Sequence, residues 1–359
     1  MRGVAVAVAG ISVVTPTLGN PELVEELLRS TVLAGRTAGV PWEHIVVDST
    51  PGAAGQLMAQ ICRRHGASYL RGPDRVGAKR NLGARSAAYD IVAFVDSDCT
   101  VVPRFFTAHL AAYREQPDVG GVAGPTDLHG PDDTFALRAL RRARQYRSWF
   151  ERDLSWPRRY AEMGWSTTSN LSVRADVFRA VGGFDERTLT VVGGEDVDFG
   201  IRVRKAGHRI VTSPEAVVLH TTMTATRLGR VARRVFRYGQ AEGWLCQRHP
   251  ELTAPDYRNP FVIAAAAGVA GLVLFPRAPR ARQAAVAALA VLAAREVASR
   301  HERGSGAVGV VHDSVCTGLD MVFDAGKVAA AVQQRRPGDL FRRFRYVQDR
   351  WFVAREDAR

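Results

Sequence analysis

The sequence predicts an α/β protein: a mostly parallel sheet with helices on both faces, followed by a helical C-terminal region. Three observations predict it. Over the first 220 or so residues, short β-branched runs alternate with helical patterns. Those runs are apolar on both sides, as strands covered on both faces are. Beyond about residue 225 the alternation stops and Ala- and Arg-rich helical segments take over.

Strands are expected at 11–16, 44–47, 68–71, 91–95 and 119–123, with helices between them at 21–33, 55–65, 77–89 and 103–115. This βαβα rhythm implies right-handed crossovers and a parallel sheet. A basic helical stretch at 132–160 interrupts it. The pattern resumes with helices at 174–181 and 196–206 and a strand at 217–220. The α/β domain is therefore placed at 1–222, a basic helical connector at 223–258, and a helical, membrane-associating region with a basic tail at 259–359. In the last region, two Ala/Val-rich runs at 261–275 and 284–294 are separated by prolines and arginines. Neither reaches the ~20 residues that cross a bilayer. A spanning hairpin would also carry arginines to the far side, so helices that lie in the interface or dip and return are preferred. In the tail, Arg335-Arg336 and Arg342-Arg343 mix with Phe341, Phe344, Trp351 and Phe352, which suits a headgroup surface or else a solvated helix face.

Composition narrows the function classes. Apolar residues make up 46% and charged residues 24% of 359, which excludes both a disordered chain and a polytopic membrane protein. The formal charge is +13, yet only Lys79, Lys205 and Lys327 are lysines. The arginines cluster late in the chain rather than interleaving with aromatics along one groove, so nucleic acid is not the expected partner. An anionic membrane surface or a phosphate ligand uses the charge better. Cys62, Cys99, Cys246 and Cys316 form no CxxC pair and read as buried thiols in a reducing compartment. The apolar run at 4–14 flows into Thr15-Pro16-Thr17 without a small-residue cleavage region, so it reads as a first core strand of a cytoplasmic protein, at the inner face of the cell membrane.

Ligands of open α/β sheets bind at the carboxyl ends of the strands, and the chemistry-bearing residues fall there. Asp96-Ser97-Asp98 directly follows the strand at 91–95. Two carboxylates so close repel each other, which a hard divalent ion such as Mg2+ or Mn2+ relieves; an exposed turn using both as caps is the alternative. Gly193-Gly194-Glu195-Asp196-Val197-Asp198 opens a helix. Carboxylates there complement the macrodipole, but three within four residues exceed that need, and one of them is suited to act as general base. Gly72 to Gly83 nearly spells a phosphate-binding P-loop, but Ala78 stands where Lys must follow Gly77. What survives is a basic helix start with Lys79, Arg80 and Asn81, suited to phosphate or ribose, or else a solvated face. Asp48 ends the second strand, as a ribose or base contact or as a turn cap. His220 ends a later strand, as a metal ligand or as a structural histidine.

Taken in order, Pro16-Thr17, Asp48, Lys79-Arg80-Asn81-Leu82-Gly83, Asp96-Ser97-Asp98, Ser169-Asn170-Leu171-Ser172-Val173-Arg174, Gly182-Gly183-Phe184-Asp185-Glu186 and Gly194-Glu195-Asp196-Val197-Asp198 resemble glycosyltransferase family 2 across residues 11–220. The resemblance implies the GT-A fold and inverting transfer from a nucleotide sugar. It implies that Pro16, Thr17 and Asp48 contact the nucleoside and that Arg80 and Asn81 lie near the nucleotide, with Lys79 beside them. It places Asp98 on the metal, Asp96 toward ribose or sugar, Asp196 as base with Glu195 beside it, and His220 as a further metal ligand. Trp165, Asn170 and Gly194 fall on the acceptor side.

Two departures qualify it. Asp48 is followed by Ser49-Thr50-Pro51, without a second acidic or amide residue. Gln240 to Trp244 lacks the Arg of the Gln-x-x-Arg-Trp motif that processive synthases carry. A non-processive, membrane-associated bacterial type is expected, with a lipid-linked or cell-envelope glycan as acceptor. The alternatives are a sugar nucleotidyltransferase, which wants a Gly-rich basic loop after the first strand, and an inactive membrane-surface scaffold.

Overall fold

The computed structural model describes residues 9–116, 118–130, 134–142, 152–191, 193–222, 227–256, 279–301 and 306–355. The apolar run at 261–275 and the middle of the basic stretch, 143–151, lie outside them.

The chain runs β1 (Ile11–Thr17), α1 (Pro21–Gly35), β2 (Trp42–Asp48), α2 (Gly52–Arg64), β3 (Ser68–Arg71), α3 (Val76–Ser86), β4 (Ile91–Phe94), β5 (Cys99–Val101), α4 (Phe105–Glu115), β6 (Gly121–Ala123) and β7 (Thr126–His129). It continues with α5 (Phe135–Arg142), α6 (Arg152–Arg159), β8 (Tyr160–Glu162), β9 (Leu171–Arg174), α7 (Ala175–Ala180), α8 (Glu195–Lys205), β10 (Ile210–Thr212) and β11 (Val218–Thr221). Then follow α9 (Leu228–Arg248), β12 (Thr253–Pro255), α10 (Pro279–Arg300), α11 (Gly306–Gln333), β13 (Arg342–Phe344) and β14 (Val353–Ala354).

Nine strands form one sheet in the order β14-β8-β10-β6-β9-β4-β1-β2-β3. β3, β2, β1 and β4 are mutually parallel, as the βαβα rhythm requires. Every residue of β1 is buried, the polar Ser12, Thr15 and Thr17 included, as in a strand covered on both faces. Two clusters pack on these strands, one built from Phe105, Phe106, Leu110 and Tyr113 of α4, the other from Met58, Ile61 and Cys62 of α2; α1 contributes to both.

The sequence reading missed β9, which enters antiparallel between β4 and β6. Its Leu171, Ser172 and Val173 are buried, and Ser172 bonds to Tyr113 and His109, so a polar residue in mid-strand is satisfied inside the core. A separate three-stranded sheet, β5-β11-β7, pairs His220 with Cys99.

The chain divides into two compact units: residues 1–130, 152–224 and 347–359, and residues 131–151 and 225–346. In the second, α9 and α11 pack backbone to backbone. A Cβ on Gly239 would lie 2.0 Å from the Phe323 carbonyl O, and one on Gly326 would lie 2.1 Å from that of Phe236. Beside that crossing, Lys327 Nζ and Glu242 Oε1 form a buried ion pair at 3.2 Å.

The expected headgroup placement of the tail aromatics is corrected in part. Trp351 and Phe352 are buried in the first unit, Phe352 against Trp156 and Tyr160, where β14 extends the large sheet beside β8. Phe344 is buried in the second unit. Aromatic area in a chain returning to a sheet edge is better buried there than at a surface. All four cysteines are buried thiols, and burial pushes those of Cys62 and Cys246 up to about 12.

Candidate active site

Parallel pairing brings three strand ends to one edge. Thr17 pairs with Asp48, and Val14 with Phe94, so the loop carrying Asp96 and Asp98 leaves β4 beside the end of β1. α3, which follows β3, brings Lys79 and Arg80 to the same edge, with Asn81 next in sequence. All three are buried, so α3 does not offer a solvated basic face there.

Arg80 is the hub. Its Nη1 donates to Glu195 Oε1 at 2.9 Å, and its Nη2 donates to Asp96 Oδ1 at 2.8 Å. The guanidinium also lies over the Phe184 ring, 5.5 Å from the centroid. Burial works against the Arg80 charge, but Asp96 and Glu195 outweigh it and raise the pKa. A planar fork with fixed donor directions is what allows one side chain to hold two carboxylates.

The acidic helix start takes its shape from two glycines. Gly193 and Gly194 have φ of 113° and 85°, which side chains rarely adopt, and Glu195 Oε2 accepts the Gly193 N–H at 2.9 Å. Glu195 is thereby fixed by Arg80 on one side and by backbone on the other. Asp196 is partly exposed, and its Oδ1 accepts the Val197 N–H at 2.9 Å. Loss of surrounding water, and then the Glu195 charge, push the Asp196 carboxyl up to about 7. Arg80 opposes that rise. Asp198, the third acid, is fully buried and paired with Arg202 at 2.8 Å, which gives it a structural role.

On the other side of the loop, β11 sets His220 Nε2 3.4 Å from Asp98 Oδ1. His220 Nδ1 lies 3.0 Å from the Thr221 carbonyl O, which only accepts, so in the neutral ring Nδ1 carries the proton. Nε2 then presents a lone pair toward a carboxylate oxygen, a juxtaposition that a cation between them relieves. The carboxylate oxygen suits Mn2+ or Mg2+, and an imidazole nitrogen beside it favours Mn2+ of the two. The Cys99 Sγ falls in the same cluster; burial and the charges of Asp98 and Asp96 push its thiol well above the usual range, and a soft sulfur suits Mg2+ or Mn2+ less well than oxygen does.

A third group surrounds the end of β2. Asp48 is fully buried; its Oδ1 accepts the Thr50 N–H at 2.8 Å and the Thr50 hydroxyl at 2.5 Å, and its Oδ2 accepts the Tyr69 hydroxyl at 3.0 Å. The cap geometry foreseen for Asp48 is therefore present. Lys79 Nζ donates to the Thr17 carbonyl O at 2.5 Å, tying α3 to the loop after β1 that carries Pro16 and Thr17. Burial lowers its pKa, opposed by the charge of Asp48. Arg71 donates to the Thr50 and Ser49 carbonyls. Tyr69 and Arg71 were not singled out from sequence; their signal is period-2 alternation on β3, whose register sets Arg71 beside Asp48.

Three candidates sit elsewhere. Asn81 staples the Gly182-Gly183-Phe184 turn: its Nδ2 donates to Phe184 O at 2.9 Å and to Glu186 Oε1 at 2.6 Å, and its Oδ1 accepts Phe184 N–H at 2.8 Å. Asn170 is fully buried and joins Pro125 O, Ala216 O and His109, so it presents no face to solvent. Trp165 is buried against Trp156, ring centroids 5.5 Å apart, and its backbone occupies the space where Gly200 lacks a Cβ. Gly194 alone of the acceptor-side set adjoins the acidic pair.

Comparison with known proteins bears on the family and the fold. A pre-mycofactocin glycosyltransferase of Mycobacterium tuberculosis is 31% identical over 208 residues, covering 57% of this chain and 40% of that protein. A validoxylamine A glucosyltransferase of Streptomyces hygroscopicus is 28% identical over 240 residues, covering 60% and 56%. The chain thus matches less than two thirds of the length of these relatives. A mannosyltransferase from Pyrobaculum calidifontis, solved with GDP-Man and Mn2+, superposes with a TM-score of 0.53 at 18% identity, covering 92% of this chain and 88% of that one, and the shared architecture is the GT-A fold. The family model described as glycosyltransferase like family 2 matches residues 9–241, well over half of the sequence, and the chain belongs to that family.

Proposed function

We propose that this chain transfers a sugar from a nucleotide-diphosphate donor to an acceptor hydroxyl, with inversion at the anomeric carbon and with Mn2+ or Mg2+ as cofactor. The observation that carries the reading is the double ion pair of Arg80, which locks the donor-side Asp96 to the Glu195–Asp196 pair.

In this mechanism Asp196 accepts the proton of the acceptor hydroxyl as its oxygen bonds to the anomeric carbon. The bond from that carbon to the diphosphate breaks, and the nucleoside diphosphate departs with the bonding electrons. A carboxylate raised to about 7 is a stronger base than an ordinary one, so proton transfer is less uphill. Glu195, held by Arg80 and Gly193 N–H, sustains that raised value and fixes the helix start. Asp98 and His220 would hold the metal. A divalent ion there offsets charge accumulating on a departing diphosphate. Pro16, Thr17 and Asp48 line the nucleoside end, with Lys79 holding the Thr17 carbonyl. No residue needs to act as a covalent nucleophile.

For the acceptor, the reading is a lipid-linked or cell-envelope glycan met at the inner face of an anionic membrane. Its support is the charge and apolar exposure of the helical unit. The test is a screen of UDP-, GDP- and dTDP-sugars with Mn2+, reading release of nucleoside diphosphate with and without a chelator. Chelator-sensitive release that Asp196→Asn abolishes supports the proposal. Absence of release from every donor, with no metal-dependent nucleotide binding, contradicts it.

A further inference from the structure

The two units divide the charge of the chain very unequally. Residues 131–151 and 225–346 hold 24 Lys and Arg against 12 Asp and Glu, a net +12 of the chain's +13. The remainder, which carries the acidic site, is close to neutral.

The same unit also displays apolar surface. In α10 no charged residue occurs from Gln283 to Ala294, and Ala284, Val286, Ala287, Ala288, Ala290, Val291 and Ala294 are exposed. Val286 and Val291 are each 66% exposed. A helix apolar all round belongs in a core or in lipid. At the start of α11, Val308, Val310 and Val311 are exposed as well. Several charged groups of this helix pair are buried instead. Arg300 pairs with Asp320 at 2.5 Å, His301 with Asp313 at 3.3 Å, and Asp313, Asp320 and Asp324 on α11 are buried. Such an arrangement is the reverse of what water selects.

We infer that α10 and the first turns of α11 seat in the outer part of an anionic lipid leaflet, with the surrounding arginines on its headgroups. The length fits a shallow seat. The uncharged part of α10 rises about 16–18 Å at 1.5 Å per residue, roughly half of a ~30 Å hydrocarbon core. Among the described residues no helix is long and apolar enough to cross. Charge complementarity selects the lipid: Arg280, Arg295, Arg335, Arg336, Arg342, Arg343 and Arg345 are exposed in this unit. This inference rests on the membrane-surface part of the proposal above and not on its sugar chemistry.

The test is flotation of the full chain with phosphatidylglycerol vesicles and with phosphatidylcholine vesicles, at about 0.1 and about 0.5 M salt. Binding to the anionic vesicles is expected, several-fold weaker at the higher salt and weaker still for the neutral ones. Val286→Glu with Val291→Glu is expected to lower it about tenfold or more, because insertion scales with buried apolar area. Both side chains are exposed, so the fold is retained, which circular dichroism verifies. Arg335→Glu with Arg336→Glu is expected to flatten the salt dependence. Equal binding to both vesicle types, or undiminished binding of the valine double variant, overturns the inference. So does a valine double variant that changes a dimer to a monomer while no form binds vesicles. Donor release measured without vesicles reports on the catalytic reading separately.

Discussion

Arg80 and Glu195, 115 residues apart in the sequence, are joined at 2.9 Å, and the same guanidinium reaches Asp96 at 2.8 Å. This bracket does two jobs. It neutralises carboxylates that would repel each other, and it fixes the acidic helix start against the loop after β4. Removing one partner of a buried pair leaves the other uncompensated, typically at about 3–5 kcal/mol. Arg80→Ala is expected to destabilise the first unit by an amount of that order and to lower kcat by more than about a hundredfold. Arg80→Lys is expected to recover stability better than activity, because an ammonium lacks the two-pronged geometry. Urea unfolding alongside steady-state kinetics measures both.

The raised Asp196 carboxyl predicts a pH profile. As a base Asp196 works only when deprotonated, so kcat/KM is expected to climb as pH rises through about 7 and then level. Glu195→Gln removes a neighbouring negative charge and leaves Arg80 less neutralised. Both changes favour the carboxylate, so the rising limb is expected to move to lower pH, with a smaller maximal rate. A limb that stays in place or moves up would show that another group titrates.

The His220–Asp98 juxtaposition, 3.4 Å between Nε2 and Oδ1, predicts how the metal dependence divides. Asp98→Ala is expected to abolish metal-dependent nucleotide binding. His220→Ala is expected to raise the Mn2+ concentration giving half-maximal binding by roughly tenfold or more. Cys99→Ala is expected to leave it unchanged within about twofold, since a soft sulfur is a poor ligand for Mn2+ beside a carboxylate. Titrating Mn2+ against a fluorescent nucleotide separates the three.

Asn81 predicts a stability effect without a binding effect. Its amide satisfies both backbone groups of Phe184, and Asn81→Ala would orphan them at about 1–3 kcal/mol each. Nucleotide affinity of the folded fraction is expected to stay near normal. A large loss of affinity with unchanged stability would restore the nucleotide role that the sequence resemblance implies.

What could be read from sequence was local. Buried parallel strands announce themselves by apolar runs; Asp96 and Asp98 were legible from the strand before them, Glu195 and Asp196 from the glycine pair and the helix they open. Pairings over long separations were not. Nothing in the run from Gly77 to Gly83 indicates that Arg80 turns inward to Glu195 or that Lys79 reaches the Thr17 carbonyl. Asn81 and Asn170 entered as ligand-side residues through the resemblance; the structure shows that their amides also join loops, Asn81 to Phe184 and Asn170 to Pro125 and Ala216. For the tail, Trp351 and Phe352 lie among arginines in the sequence, and only β14 pairing with β8 shows that they are buried.

The central claim is that Asp196 is the base of a sugar transfer assembled around Arg80. The most direct measurement is sugar transfer by Asp196→Asn with saturating donor and Mn2+, beside nucleotide binding by the same protein. Asn keeps the shape and the hydrogen-bonding reach but cannot take the proton. The account predicts a fall in kcat of about a hundredfold to ten-thousandfold with nucleotide affinity within a few-fold of normal. Transfer at the unaltered rate would contradict it.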